Sequence, residues 1–282
     1  STPIKSSAAS DVYKRQQLFR IGNCIMGAFG VVLGVLIAVG RDIVDYPVEL
    51  VLGCITVIFF IMGGNSLNDY LDRDLDKLAH PERPLPSGKI KPQTAKNISI
   101  ATFIIACAVS VFLGLVPFII TIVAAAVMIA YELKTKKLGL IGNLSIAWLT
   151  SALFFLGGAI TGHIEVTIPM GLMAFLATLG REIVKDVQDM NADFNRTTLP
   201  KQIGKRNASV ISSILFVLAV ILSFEPYLTG RFGLAYLVVV LVADAIFIYS
   251  AVVLHQNPKN GQKFAKYGMF VALIAFLLGG LL

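Results

Sequence analysis

Charge is scarce in this chain. Asp, Glu, Lys and Arg make up 15% of its 282 residues against 56% hydrophobic, and the mean hydropathy is +0.78, so there is too little polar surface to cover a water-soluble globule of this length. Cysteine is scarce too. Cys24, Cys54 and Cys107 lie in three different apolar runs, which excludes a disulfide framework, and no Cys/His spacing suits zinc. His80, His163 and His255 are scattered over loop positions, and none is a candidate catalytic base. Residues 1–16 lack an apolar core, which excludes a signal peptide and predicts a disordered lead or a cloning scar.

What the chain has in place of charge is a series of apolar runs. About 20 apolar residues cross a bilayer as a helix, and nine runs can be placed near 18–40, 48–67, 97–115, 117–131, 141–161, 166–184, 208–225, 231–253 and 265–282. The expected fold is an all-α polytopic membrane protein, with residues 17–282 as a single transmembrane domain. All but two of the 24 Lys and Arg fall in the N-terminal lead and in alternate loops around 69–96, 132–140, 181–206 and 254–264; the exceptions are Arg41 and Arg231. The positive-inside rule then predicts a cytoplasmic N-terminus and an outside C-terminus. On that distribution the formal charge of +7 is a topology signal, and no nucleic-acid partner is expected.

Two stretches break the apolar pattern. In Asn65-Ser66-Leu67-Asn68-Asp69-Tyr70-Leu71-Asp72-Arg73-Asp74-Leu75-Asp76, Asn68, Asp72 and Asp76 recur at i, i+4 and i+8, so on a helix they form one stripe with side chains about 6 Å apart. Asp69 and Asp74 point elsewhere. Like-charged oxygens on one stripe repel unless a cation lies between them, which makes a divalent ion the simplest reason for the arrangement. One such stripe alone would read as a polar helix end wetted by headgroups. A second one follows another apolar run, however, with Glu182, Asp186, Asp189 and Asp193 spaced 4, 3 and 4. Behind each comes a basic phrase: Arg83-Pro84-Leu85-Pro86-Ser87-Gly88-Lys89 after the first, and Arg196-Thr197-Thr198-Leu199-Pro200 with Gly204-Lys205 after the second. The repetition predicts two half-sites facing each other, with acids to hold metal ions and basic loops to close over an anion.

Other polar groups sit at run ends. The stretch from His80 to Pro92 contains Pro81, Pro84, Pro86 and Pro92, so it cannot be one long helix. With Arg83 and Lys89 it is expected to act as a lid over phosphate, paired with a second lid bearing Lys201 and Lys205, both mobile when empty. Tyr131 and Lys134, one turn apart, and Asn143 at the start of the next run are placed to hold diphosphate oxygens. Asn23 lies one turn inside the first run and is expected to face a polar chamber, whereas Arg20 reads as snorkelling to headgroups.

Asn68-Asp69-Tyr70-Leu71-Asp72-Arg73-Asp74-Leu75-Asp76, followed by Arg83-Pro84-Leu85-Pro86-Ser87-Gly88, resembles the first motif of the UbiA superfamily of intramembrane prenyltransferases. The second stripe, with Thr198-Leu199-Pro200 behind it, resembles their second motif. The resemblance spans essentially the whole chain. It implies helices around a central cavity capped by cytoplasmic loops, with Mg2+ joining the two motifs to a polyprenyl diphosphate donor. Residue by residue, it implies metal and diphosphate duty for Asn68, Asp72, Asp189 and Asp193, with Asp72 and Asp193 catalytic and Asp76 and Asp186 as further motif acids. The opening Arg181-Glu182-Ile183-Val184-Lys185-Asp186 is similar to the archaeal glycerolipid branch and to the homogentisate and chlorophyll branches, although Asn191-Ala192 stands where Glu-Gly is commoner. The implied reaction is transfer of a geranylgeranyl group to the hydroxyl of geranylgeranylglyceryl phosphate, a membrane lipid, and the alternative acceptor is an aromatic ring. A secondary transporter using intramembrane carboxylates is a rival of another class. Its site belongs near the bilayer midplane, and both stripes here lie at run ends.

Overall fold

The computed structural model describes residues 17–190 and 197–282. Among the described residues regular structure is helical, and nine helices are long and apolar enough to cross a membrane. They are α1 (Ile21–Val39), α2 (Pro47–Ala79), α3 (Pro92–Val111), α4 (Leu115–Leu133), α5 (Leu140–Ile160), α6 (Ile164–Gln188), α7 (Lys205–Leu222), α8 (Leu234–Val253) and α9 (Pro258–Leu281). The nine runs expected from hydropathy are all there.

The helices do not stop where the apolar runs stop. With 33 residues, α2 is about 50 Å long at 1.5 Å per residue, well beyond the roughly 30 Å of bilayer hydrocarbon. Its surplus is the polar stretch from Asn65 onward, which contains no Gly or Pro before Ala79 and so gives the helix no reason to break. Lys77 in the last turn complements the helix dipole, and Pro81 lies just past the end. The first acidic stripe is therefore carried on a continuous helix, as its spacing requires. Pro92 opens α3 at a position where its missing N–H costs nothing.

By their contacts the described residues group into two compact units, one made of those up to Val31 with Val48–Leu133, the other of those in Val32–Pro47 and Lys134–Leu282. In the first, α3 is fastened to α2 by Ser99, whose hydroxyl donates to the Gly63 carbonyl at 2.9 Å, and by an edge-on Phe60–Phe103 ring pair. In the second, Leu33, Phe154, Met170, Tyr236 and Phe276 form the main apolar cluster. The one acid within α8, Asp244, is buried there and accepts from the Ser223 hydroxyl at 2.8 Å. Tyr236 in turn donates to the Ser223 carbonyl at 2.7 Å, so this polar group is absorbed into packing.

Within the second unit α1 and α5 cross at two glycines. A methyl carbon added to Gly157 would lie 2.6 Å from the Cα of Gly34, and small residues at such a crossing are what let membrane helices approach. Gly157→Ala should therefore cost at least the about 1–3 kcal/mol typical of overpacking, because the atoms it meets are backbone and cannot rotate away. Thermal denaturation in detergent reads this out; an unchanged melting temperature would mean that the crossing can open without penalty.

Candidate active site

The first stripe is organised by one carboxamide. Asn68 Nδ2 donates to Asp72 Oδ2 at 3.0 Å along α2 and to Glu132 Oε2 at 3.0 Å on α4, while its Oδ1 accepts from Arg20 Nη2 at 3.1 Å. A guanidinium only donates and a carboxylate only accepts, so the amide has one orientation compatible with all three partners. Arg20 Nη2 also pairs with the buried Asp69 at 2.6 Å. The expectation that Arg20 snorkels to headgroups is thus corrected. Its backbone sits in the left-handed region at φ 49, uncommon for a residue with a side chain, immediately before α1. Asn65 ties the same segment to α2 by donating to the Phe19 carbonyl at 2.8 Å. Asn23 is exposed.

Asp76, the third residue of the stripe, is buried and faces the following loop. Both its oxygens accept from Arg83 Nη1, at 2.8 and 2.7 Å, so a residue expected at the metal and one expected at the diphosphate are an ion pair. The loop itself is docked: Leu85 and Ile90 are buried in a cluster with Leu18 and Ala95, and Ser87 donates to the Arg83 carbonyl at 2.7 Å. Apolar anchors of this kind oppose the looseness expected of an empty lid. Lys89 is exposed on its surface.

In the second unit, α6 is helical through Gln188 and Asp189 caps it, its N–H donating to the Lys185 carbonyl. Only Glu182 and Asp186 of the second stripe therefore lie within the helix; Asp193 lies outside the described residues. Asp186 is buried and accepts from Asn143 Nδ2 of α5 at 2.8 Å, which brings a residue expected at the diphosphate against one expected at the metal. Glu182 is flanked by Arg181 at 2.8 Å and Lys185 at 3.6 Å. The phrase after the stripe returns against the segment before α5, where the Thr197 N–H donates to the Lys137 carbonyl at 3.2 Å. Gly139 permits this approach: its φ is +57, and a Cβ there would collide with the Thr197 carbonyl oxygen. Tyr131 is half-buried at the end of α4, and Lys134, Lys201 and Lys205 are exposed.

Each acidic helix is thus held to a neighbouring helix by an asparagine amide on a carboxylate, Asn68 to Glu132 and Asn143 to Asp186. The model of the UbiA prenyltransferase family matches residues 27–274. The chain belongs to this family. It is therefore a prenyltransferase and an integral membrane protein. The digeranylgeranylglyceryl phosphate synthase of Methanosphaera stadtmanae is 34% identical over 272 residues, covering 94% of this chain and 98% of the relative. A solved digeranylgeranylglyceryl phosphate synthase structure superposes with a TM-score of 0.87 at 34% identity, covering 96% of this chain and 99% of that one. A UbiA homologue from Archaeoglobus fulgidus bound to DMAPP and Mg2+ shares the fold, with a TM-score of 0.68 at 18% identity over 92% of this chain and 99% of that one.

For a UbiA prenyltransferase the donor chemistry of these faces is telling. Among the described residues no three His, Cys, Asp or Glu side chains are grouped to hold a metal by themselves. A small hard divalent cation needs no such cage, because it keeps several waters and takes one or two carboxylates plus substrate phosphates. Asp72, a hard-oxygen donor that the Asn68 amide holds at 3.0 Å, suits that requirement. Neither Arg20 nor Glu132 was singled out from sequence as a site residue. The signal for Glu132 was its isolation, a lone acid beside Lys134, Lys136 and Lys137 that is 6% exposed in the fold.

Proposed function

We propose that this chain transfers a geranylgeranyl group from geranylgeranyl diphosphate to the hydroxyl of geranylgeranylglyceryl phosphate. The observation that carries this is the likeness, at 34% identity and over nearly the full length of both chains, to digeranylgeranylglyceryl phosphate synthases in sequence and in structure. The bond from the allylic carbon to the diphosphate oxygen breaks, the acceptor oxygen forms the ether bond to that carbon, and its proton passes to the released diphosphate. Mg2+, when bound, supplies positive charge against the growing charge of the leaving diphosphate. Asn68 and Asp72 would hold it at the first acidic face and Asp189 and Asp193 at the second, with Asp76 and Asp186 as the further acids of those faces. Lys89, Lys134, Lys201 and Lys205 add cationic charge for the diphosphate, and the Tyr131 hydroxyl and Asn143 amide add donors. Arg83 adds charge of the same sign while it neutralises Asp76. Apolar helix walls keep water from the allylic cation. The charge asymmetry of the loops supports an orientation with the N-terminus and both acidic faces on the cytoplasmic side and the C-terminus outside.

The test is the mass of the product made by purified protein from labelled geranylgeranyl diphosphate. Offered geranylgeranylglyceryl phosphate and an aromatic acceptor in parallel, the protein should give the lipid diether, and only with Mg2+ present. A prenylated ring in place of the diether would move the chain to the aromatic branch, and diether formation undiminished by a chelator would remove the metal from the reading.

A further inference from the structure

We propose that Glu132 is a positioning residue for this reaction, holding the Asn68 carboxamide, and through it Asp72, in the one orientation that a divalent ion meets. The proposal rests on the reading that the first acidic face handles Mg2+. Glu132 lies at the end of α4 and is 6% exposed, an expensive place for a carboxylate without good reason. Two contacts in register bring it to α2. One turn earlier, Gly64 of α2 meets Met128 of α4, where a Cβ on the glycine would lie 2.8 Å from the Met128 Cε; four residues on in both helices, Asn68 meets Glu132 at 3.0 Å.

The geometry of the amide explains what Glu132 adds. The terminal torsion of an asparagine is broad, and an amide gripped at two points can rock while keeping both bonds. Asn68 is gripped at three: Arg20 on its oxygen, Asp72 on one N–H and Glu132 on the other. With both hydrogens of Nδ2 committed, rotation about the last torsion breaks at least one bond, and Asp72 Oδ2 is fixed with it. Without Glu132 the amide is gripped at two points, by Arg20 and Asp72, and can rock, so the oxygen that Asp72 presents to it is no longer fixed by a third bond. What Glu132 supplies to Asn68 is an acceptor oxygen, and that separates positioning from direct ligation. A glutamine offers the same acceptor without the charge; a leucine offers neither.

The experiment measures Mg2+ binding without catalysis, as thermal stabilisation of the detergent-solubilised protein by Mg2+ with inorganic diphosphate. Glu132→Leu should raise the half-saturating Mg2+ concentration by about 10-fold or more, the usual effect of losing a group that orients a metal ligand. Glu132→Gln should stay near the parent, and turnover at saturating Mg2+ should follow the same order. Equal weakening in both variants would mean that the charge matters rather than the acceptor, and would overturn the proposal. So would a Glu132→Leu protein with unchanged Mg2+ dependence. If Glu132→Leu does not fold, Glu132→Gln decides alone, near-parent affinity supporting the proposal and a large loss overturning it. A parent protein that Mg2+ with diphosphate does not stabilise would overturn the reading of the first face and this inference with it.

Discussion

An Asp72→Ala protein should fold and yet lose turnover by about 10²–10³-fold or more, the range for removing one group that stabilises charge in a transition state. Asp72 is half-buried on the polar end of α2, and it accepts from the Asn68 amide at 3.0 Å. Removing it takes away the carboxylate proposed above to serve the diphosphate, and an alanine there keeps the helix intact. Asp74 is the control. It is two residues away, 68% exposed, and pairs with Lys77 at 2.8 Å on the outer surface of the same helix, so Asp74→Ala should leave both melting temperature and turnover nearly unchanged. Steady-state kinetics beside circular dichroism decides the matter. Equal losses at the two positions would show that the helical face carries no chemistry, and an unfolded Asp72→Ala protein would make the residue structural.

The helix count and the face that carries the first stripe were legible because both follow from periodicity. A crossing needs about 20 apolar residues whatever surrounds it, and i, i+4, i+8 lie on one face of any helix. Where helices end was less legible. Hydropathy ends the second run at Leu67, but backbone hydrogen bonding carries α2 to Ala79 because nothing in between breaks a helix. At α6 the error ran the other way: the 4, 3, 4 spacing assumed a helix through Asp193, whereas α6 ends at Gln188 with Asp189 as its cap. A stripe says which residues share a face and nothing about what meets that face. Arg20 looked like a headgroup anchor and reaches Asn68 and Asp69, 48 and 49 residues away; Glu132 is 64 residues from the amide it holds. Asp76 with Arg83 and Asn143 with Asp186 were each named as site residues in separate roles. Their pairing needed the path of the loop and the packing of α5 on α6.

Arg20→Ala is expected to destabilise the protein by about 3 kcal/mol, the lower end of the cost of breaking a buried ion pair by removing one partner. Asp69 keeps only 4% of its side-chain surface, whereas Arg20 keeps 33%; the acid is thus the member left behind without water. The lower end applies because Arg20 keeps a third of its side-chain surface in water, which screens the pair. If the uncompensated carboxylate is the cause, Arg20→Ala combined with Asp69→Asn should regain most of the loss, since a neutral amide tolerates that site far better than a charge. Asp69→Asn alone should cost less than Arg20→Ala alone, because Arg20 can still bond Asn68 and reach water. The two single variants and the double form a cycle whose coupling energy should be well away from zero. Turnover separates the second duty of Arg20: the double variant, though stable, should remain slow, because the Asn68 oxygen has lost the guanidinium that fixed it at 3.1 Å. A double variant as unstable as Arg20→Ala would mean that Arg20 stabilises the fold through its packing and its left-handed turn at φ 49, with the charge on Asp69 playing no part.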